Sequence, residues 1–512
     1  MSTESTATAP QGDALDAGVL KIASVVVLGA IMAILDTTVV NVALQKLTIE
    51  FSTSFDVIQW VSTGYLLALA TVIPVTGWAS DRFGTKRLYM IAIVLFLAGS
   101  MLAGVAWNIE TLILFRVLQG FGGGMLMPCG MTIMTRAAGP QRIGRVMAVL
   151  GVPMLLGPIG GPILGGWLVD AVSWRWIFFI NVPIGVVTLL LSWRLLPKDA
   201  PEPSGRFDFA GMLMVSPGLA ALIFGVSKIP SAGGIGAVEV WLPALAGLVL
   251  LAGFVVRALK VPNPLVDLRL FKNRTFAVAM VTMSLFFVAF LGGMMLLPTY
   301  FLLVRGETTL HAGLLLAPQG FGAMIMMPIT GRLADKAGAR KIVLPGLVLI
   351  VGAMAMLTQV TATTPYPVLL SALFVMGLGM GCTMMPITTS ALQTLQPKDM
   401  ARASTATNIV QQTAGAIGSA VLATILAALL AGKFGVPTAQ GQLAATAAIL
   451  NPQSHTAATG LAADAFSTTF VWSLVLVSLC LIPAFFLPKT RPALPAAPSE
   501  DGDEITQPVM VH

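Results

Sequence analysis

Apolar runs of about 20 residues recur along the whole chain, and they restrict the possible folds more than any other feature. A helix of that length crosses a hydrocarbon layer ~30 Å thick. Because 56% of the residues are hydrophobic and only 10% are charged, the runs are typical of membrane spans and not of a soluble core. Backbone groups in lipid must be satisfied within each segment, so the spans are predicted to be helices. We predict an all-α polytopic membrane protein with fourteen spans, at residues 19–43, 57–78, 88–107, 110–133, 144–170, 176–195, 208–228, 239–259, 276–303, 312–331, 342–360, 366–392, 403–431 and 468–488.

Lysine and arginine are distributed unevenly between the loops. With the N-terminus placed inside, 23 of the 29 basic residues face the cytoplasm, as the positive-inside rule requires. The exceptions are Lys46, Arg175, Lys228, Arg305 and Lys433, which face outward, and Arg116, which lies within a span. We therefore expect both tails, 1–18 and 489–512, to be cytoplasmic, and no signal-peptide pattern precedes the first span. The net charge of +7 is explained by loops that meet anionic membrane lipid, so nucleic acid is not an expected partner.

A short sequence is repeated within the chain. GWASDRFGTKR, which starts at Gly77, recurs as GRLADKAGARK, which starts at Gly331. The first copy follows the second span and the second copy follows the tenth, so equivalent positions are eight helices apart. We therefore predict two parallel six-helix bundles, 19–195 and 276–488, with a linker and an inserted pair, helices seven and eight, within 196–275. The stretch 432–467, rich in Ala, Thr and Gly, is expected to be linker or loop.

One carboxylate lies deep within a predicted span. An ionisable group in hydrocarbon is costly and is rarely kept without a use. Asp36 lies ten residues before Lys46, and Arg116 lies nine residues after Trp107, which places both side chains ~13–15 Å below the outer surface. Burial disfavours the ionised form of Asp36 and a nearby guanidinium favours it, so its protonation can be switched. We interpret Asp36 and Arg116 as a proton-coupling pair; the alternative is a static ion pair that joins helices one and four.

The two copies of the repeat predict gates at the cytoplasmic ends of the helices. Asp81 and Asp335 can accept hydrogen bonds from helix N-termini or pair with neighbouring basic residues such as Arg82. The glycines of the repeat, which are expected to permit tight turns, are Gly77, Gly84, Gly331 and Gly338. Such contacts form only when the ends of the two halves are close together, so they would stabilise the outward-open state. A solvated charge cluster is the alternative, but it does not explain why the copies match in register.

The fifth span contains a row of small residues. Gly157, Gly161 and Gly165 are four residues apart and form one smooth face, which lets another helix approach closely. Prolines such as Pro158 interrupt the hydrogen bonding of the helix and allow a bend. Ordinary packing of small residues is the alternative explanation for the glycines, but it explains the prolines less well.

Polar and aromatic side chains within the spans are candidates for a substrate cavity. Polar groups in a membrane bundle face its interior. Aromatic faces and flexible thioethers suit a pocket that accepts many apolar or cationic shapes. For any single aromatic residue, lipid contact or core packing is the alternative. The candidates are Asn41, Gln59, Trp60, Tyr65, Gln119, Phe290, Gln319, Asn408 and Gln412.

Several of these segments resemble the motifs of one family. The segments are LDTTVVNVAL from Leu35, QWVSTGYLLA from Gln59, the loop from Gly77, RVLQGFGGG from Arg116, GVPMLLGPIGGPILGG from Gly151 and WRWIFFINVPIG from Trp174. Together they resemble the fourteen-helix drug:proton antiporter branch of the major facilitator superfamily, the EmrB/QacA type. The resemblance covers nearly the whole chain and departs at Gln45, where the family usually has proline.

This resemblance implies a major facilitator fold and proton-coupled multidrug efflux across the inner membrane of a bacterium. It also implies that the glycine face of the fifth helix packs against a helix of the other half near the outer gate. Some members of the branch that export divalent organic cations carry a further acid in the tenth helix, whereas the tenth span here, 312–331, has none. We therefore expect monovalent cationic or neutral lipophilic substrates.

Other function classes fit the sequence less well. An exporter or facilitator of one metabolite, lipid or siderophore on the same scaffold is the alternative, since a fold does not fix a function. An enzyme or an ATP-driven pump is not expected, because the chain has no phosphate-binding Gly-Lys-Ser/Thr loop and only three histidines, without metal-ligand spacing. We predict no metal and no cofactor, with the proton gradient as the energy source. No segment identifies a periplasmic adaptor.

Overall fold

Long helices follow one another along the chain at the positions of the apolar runs. The computed structural model describes residues 16–490, except 54, 59, 140–141, 199–206, 263 and 396–398. We number the long helices α1 (Ala17–Glu50), α2 (Trp60–Phe83), α3 (Thr85–Gly104), α4 (Ile109–Ala138), α5 (Ile143–Ala171), α6 (Asn181–Leu195), α7 (Phe209–Ser227), α8 (Val238–Lys260), α9 (Arg274–Leu303), α10 (Ala317–Lys336), α11 (Arg340–Leu357), α12 (Tyr366–Leu392), α13 (Met400–Phe434) and α14 (His455–Leu479). No strand occurs within this described part.

The helices are long enough to cross a membrane. In the described residues, thirteen helical segments have the length and the apolar composition of a bilayer span. One more helix, α5, is 29 residues long and lies at the fifth predicted span. The prediction of an all-α polytopic protein is confirmed, and the helix positions agree with the fourteen predicted spans.

The Ala-rich segment 432–467 is mostly helical, so the expectation of linker or loop is wrong there. α13 continues to Phe434, a short helix runs over Gly441–Leu450, and α14 begins at His455. Alanine has the highest helix propensity of all residues. The lower hydropathy of the segment therefore ends the apolar run without ending the helices.

The helix packing repeats with an offset of eight helices. α1 packs against α4, α5 and α6, and α9 packs in the same way against α12, α13 and α14. α4 packs against α2 and α3, and α12 against α10 and α11. Because the same pairs recur, α1–α6 and α9–α14 are two copies of one six-helix arrangement. The residue limits predicted for the bundles and the linker stay a prediction.

The two copies meet mainly along two helix pairs. α2 lies against α13, and α5 lies against α10. In the repeat, α2 corresponds to α10 and α5 corresponds to α13. The α2–α13 pair and the α5–α10 pair are therefore equivalent, and the interface has the same internal symmetry as the bundles. Any motion of one half against the other must therefore change the contacts of α2 with α13 and of α5 with α10.

The inserted helices α7 and α8 form a hairpin beside this interface. They pack closely against each other, and α7 also contacts α2 and α13. At one end of the hairpin, Asp208 caps α7 by accepting from the Gly211 N–H at 2.8 Å. The same carboxylate accepts from the Arg257 guanidinium of α8 at 2.7–2.8 Å. One end of the hairpin is thus fixed by an ion pair between its own two helices.

Candidate functional site

The structure brings Asp36 and Arg116 together inside the first bundle. The side chain of Asp36 in α1 is 0% exposed and that of Arg116 in α4 is 1% exposed. Arg116 Nη1 lies 2.5 Å from Asp36 Oδ2. Asp36 Oδ1 accepts from Gln119 Nε2 at 2.8 Å and from Asn181 Nδ2 at 3.0 Å. The carboxylate therefore has three donors, one charged and two neutral, from α4 and α6.

Arg116 has further partners that hold it in place. Its Nη1 also donates to Gln119 Oε1 at 2.7 Å, and its Nε donates to the Val61 carbonyl at 3.2 Å. The guanidinium lies 4.2 Å from the centre of the Tyr65 ring, within cation–π range. These contacts do not involve Asp36, so Arg116 keeps neutral hydrogen-bond and cation–π partners when the carboxyl group takes up a proton.

Local sequence explains why these side chains converge. Asn108 and Thr111 form a capping box that fixes the start of α4, two turns before Arg116. Arg116 and Gln119 are three residues apart and therefore lie on one face of α4. Asn181 is the first residue of α6, and its amide also donates to Ser100 Oγ at 3.1 Å. α1, α3, α4 and α6 thus supply one connected polar network in an apolar bundle.

Two residues predicted for the substrate cavity belong to this network instead. Gln119 is 0% exposed and bonds to Asp36 and Arg116, and Tyr65 is 1% exposed beneath the guanidinium. Neither side chain is open to the space between the halves in this structure. The prediction was based on the presence of a polar or aromatic side chain within a span, and residue type does not give the direction in which a helix residue points.

Trp60 also lies elsewhere than predicted. Its indole stacks on Phe224 of the inserted helix α7, with ring centres 5.5 Å apart. It therefore contacts the hairpin beside α2 and not a central cavity.

The candidates in the second half lie in different surroundings. Gln319 is buried, and its amide donates to Met380 of α12, so it packs within the second bundle. Phe290 is half-buried and stacks on Phe286 at 5.5 Å. Asn408 is buried and donates to its own helix at Ser404 O. These residues contact their own bundle in this structure.

Among the polar candidates whose side chains are described, Gln412 is exposed. It lies seven residues after Thr405, and Thr405 contacts α2 at Gly77, so both residues are on the face of α13 that looks toward the first bundle. Gln412 lies two turns further into the membrane than that contact. An exposed amide on this face points to the space between the halves.

Some predicted site residues cannot be placed. Gln59 and the side chains of Asn41, Pro158 and Asp335 lie outside the described residues.

Asp81 connects the two halves at the predicted cytoplasmic end. Its side chain is 7% exposed and lies 3.6 Å from Arg136 of α4 and 3.9 Å from Arg402 of α13. Arg402 also lies 3.9 Å from Asp267. Asp81 was expected to accept from helix N-termini or to pair with neighbouring basic residues, and the two arginines that lie near it come from other helices. Arg82 is exposed and forms no ion pair among the described residues.

The glycines of the repeat do not all act as turn residues. Gly84 does, since its φ of 90° lies in the region that favours glycine. Gly77 and Gly331 lie inside α2 and α10, so the turn prediction is wrong for them. A methyl group at Gly77 would lie 2.9 Å from Thr405 Oγ1, so this glycine permits the close approach of α2 to α13. Gly338 lies between α10 and α11 against the backbone of Pro488 and Lys489.

The glycine face of α5 packs within its own half. A side chain at Gly157 would collide with Ile34 of α1, and one at Gly161 would collide with Thr38. The Thr38 hydroxyl donates to the Gly157 carbonyl at 3.1 Å. Gly165 faces the backbone of Val39, also in α1. The expectation that these glycines pack against the other half is wrong; α5 reaches α10 through a different face, where Gly151 meets Met327.

Sequence reasoning missed Asn181, Ser100, Arg136 and Arg402. Asn181 had a signal, since it is an amide within the apolar stretch WRWIFFINVPIG. Ser100 is a single hydroxyl in a helix and gave none. Arg402 pairs across more than 300 residues, so no local pattern in one sequence could have found it.

A second polar cluster lies at the opposite end of the second bundle. The Tyr366 hydroxyl of α12 donates to the Glu307 carboxylate, and His311 Nδ1 lies 2.5 Å from the same group. The Arg305 guanidinium lies 4.4 Å from the centre of the Tyr366 ring. The hydrogen bond from Tyr366 lowers the pKa of Glu307 below its usual value. The cluster ties the segment after α9 to the start of α12.

Comparison with known proteins supplies the family. The profile of the Major Facilitator Superfamily matches residues 26–419. The chain is 44% identical to a multidrug resistance protein B homolog from Mycobacterium tuberculosis, over 95% of this chain and 93% of that protein. It is 31% identical to the multidrug export protein EmrB of Escherichia coli, over 78% of each chain.

Solved structures agree on the fold. The human organic anion transporter MFSD10 superposes with a TM-score of 0.59 at 15% identity, covering 90% of this chain and 99% of that one. The proton:xylose symporter XylE superposes with a TM-score of 0.54, also at 15% identity, covering 89% and 94%. On these matches and the repeated six-helix packing, the chain belongs to the Major Facilitator Superfamily and, within it, to the drug:proton antiporter branch of the EmrB type.

Proposed function

We propose that this multidrug efflux transporter exports lipophilic, monovalent cationic or neutral compounds in exchange for protons, by alternating access. The observation that supports the proposal most strongly is the Asp36 carboxylate, which is fully buried in the first bundle and held by Arg116, Gln119 and Asn181. A carrier of coupled protons needs one group that can lose and regain its proton away from water.

The surroundings of Asp36 suit both protonation states. Burial makes the ionised carboxylate costly, and three donors offset that cost. When the carboxyl group is protonated, Arg116 keeps its bonds to Gln119 and Val61 and its contact with Tyr65. In both states the buried charges keep hydrogen-bond or cation–π partners.

Helix packing offers a route from this site to the interface between the halves. Thr38 lies two residues after Asp36, and its hydroxyl donates to the Gly157 carbonyl of α5. α5 contacts α10 of the second bundle. A change in the position of α1 that follows protonation would therefore reach the interface through α5, and we propose this as the coupling path.

The contacts at Asp81 would act as a latch between the halves. Arg136 of α4 holds Asp81 within the first half, and the contact of Asp81 with Arg402 joins α2 to α13. The contact with Arg402 can exist only while the predicted cytoplasmic ends are together. In this proposal they stabilise the outward-facing form and break when the protein opens inward.

The charge selectivity follows from the count of deep acids. A dication that leaves water needs more than one carboxylate, or a carboxylate and an extended aromatic cage, to offset its lost hydration. Apart from Asp36, the buried acids among the described residues are Asp81 and Asp208, and both lie at helix ends. One deep carboxylate suits a single positive charge.

Transport by purified protein in liposomes tests the proposal. An imposed pH gradient should drive uphill movement of monovalent lipophilic cations and neutral drugs, with little movement of matched bisquaternary compounds. Dissipating the gradient with a protonophore should abolish uphill movement while downhill movement continues. Uphill transport that survives the protonophore would contradict proton coupling, and equal transport of bisquaternary compounds would contradict the charge argument.

A further inference from the structure

A basic cleft opens on the outside of the first bundle, between the start of α3 and the end of α6. It has a volume of about 660 Å³, and four cationic side chains line it, Lys86 and Arg87 from α3 and Arg194 and Lys198 from α6 and its end. This cleft lies away from the Asp36 network and away from the interface between the halves.

Three of its cations have no ion-pair partner among the described residues. In the described part of the chain, no carboxylate forms an ion pair with Arg87, Arg194 or Lys198, and all three side chains are exposed. Lys86 has a structural role, since its Nζ donates to the Trp193 and Leu196 carbonyls at 2.8 and 2.5 Å. These bonds hold the start of α3 to the end of α6, so the cleft is a fixed feature.

The other walls of the cleft are apolar. Phe83 and Trp193 line it, and their side chains are 49% and 63% exposed. Aromatic rings at the end of a membrane helix lie at the level of the lipid headgroups. The cleft therefore combines exposed aromatic surface with positive charge at the end of the protein where most basic residues lie, and basic pockets of this kind between membrane helices bind anionic headgroups.

We infer that this cleft binds an anionic phospholipid from the leaflet at the predicted cytoplasmic end. The phosphate groups would lie among Arg87, Arg194 and Lys198, and the first acyl segments would lie against Phe83 and Trp193. The volume suits a headgroup, since small-molecule sites in proteins measure about 300–1,000 Å³. The inference depends on the membrane position of the chain and not on proton coupling or drug transport.

Native mass spectrometry of the purified protein tests the inference. Cardiolipin and phosphatidylglycerol should bind more tightly than phosphatidylcholine of the same acyl chains. Each basic residue near an anionic membrane surface contributes about a fivefold factor in affinity, so Arg87→Gln, Arg194→Gln and Lys198→Gln together should weaken cardiolipin binding about 100-fold. The single variant Arg194→Gln should weaken it about fivefold. These side chains are exposed, so the variants should fold.

A matched variant separates this site from general charge. Lys260→Gln, Lys272→Gln and Lys341→Gln remove three exposed cations from the same end of the protein, outside the cleft, and should leave cardiolipin binding unchanged. Inorganic phosphate should not displace the lipid at equal concentration, because it has no acyl chain for the aromatic wall. Equal loss in both triple variants, no loss in the cleft variant, equal binding of phosphatidylcholine, or displacement by phosphate would each overturn the inference.

Discussion

Replacing Asn181 by leucine should move the pH of half-maximal substrate binding upward. The change removes one of the two neutral donors of Asp36, the Nδ2 that lies 3.0 Å from Oδ1, and keeps the number and branching of the side-chain heavy atoms, so no cavity opens for water. A donor stabilises an ionised carboxylate more than a protonated one. Without it, the ionised form of the carboxyl group is less stable relative to the protonated form, and a substrate that competes with the proton binds less readily at a given pH.

The size of the effect follows from the contact. A hydrogen bond to a charged group contributes about 1.5–3 kcal/mol, and about 1.4 kcal/mol corresponds to one pH unit. The midpoint should therefore rise by about one to two units. Arg116 and Gln119 keep their bonds to Asp36, so the network should stay assembled.

The assay is equilibrium binding of a fluorescent monovalent lipophilic cation to purified protein across a range of pH. Thr188→Val is the matched control, since Thr188 lies two turns further along α6, is fully buried, and bonds to its own helix at Ile184 O. The control should keep the wild-type midpoint. A wild-type midpoint in Asn181→Leu, with binding intact at high pH, would refute the assignment of Asp36 as the group that releases the proton.

Three further predictions address the latch, the cavity and the opposite end of the second bundle. Asp81→Asn should shift the population toward inward-facing forms by about five- to thirtyfold, which distances between spin labels on the ends of the two halves would measure. The control variant Asp208→Asn, within the hairpin, should not shift the population. An unchanged distance distribution for Asp81→Asn would refute the latch. Gln412→Glu, which adds an acid facing the space between the halves, should give export of bisquaternary compounds that the wild type does not export, and continued absence of that export would count against the charge argument. Tyr366→Phe removes the hydrogen bond that lowers the pKa of Glu307. A lowered pKa stabilises the folded protein at pH values above the unfolded pKa of about 4.5, so the variant should lose most melting temperature at neutral pH and less as the pH falls through the lowered pKa. A loss in melting temperature that does not change with pH would contradict this prediction.

The fold could be predicted because lipid permits few structures. Helices are required wherever about 20 apolar residues occur together, and a repeated loop reveals the order of the bundles. The prediction failed at 432–467, where helices continue in a segment that is not apolar enough to be read as a span. There, helix propensity and not hydropathy decides the structure.

The site could be predicted only in part. Distance along a helix gives depth, and depth was enough to pair Asp36 with Arg116. The direction of a side chain around its helix depends on which neighbours the helix packs against, so Trp60 was assigned to the wrong side of α2. Asn181 was missed because a neutral amide in an apolar stretch resembles a packing residue until its partner is known.

Proton movement driven by substrate tests the central claim most directly. Liposomes that contain the purified protein and a pH-sensitive dye are given a gradient of a monovalent lipophilic cation with no initial pH gradient. Wild-type protein should move protons against the direction of the substrate, and Asp36→Asn should move none. The variant should still reach the membrane and bind substrate, because its side chain can keep bonds to Gln119 and Asn181. Proton movement by Asp36→Asn at the wild-type rate would contradict the account.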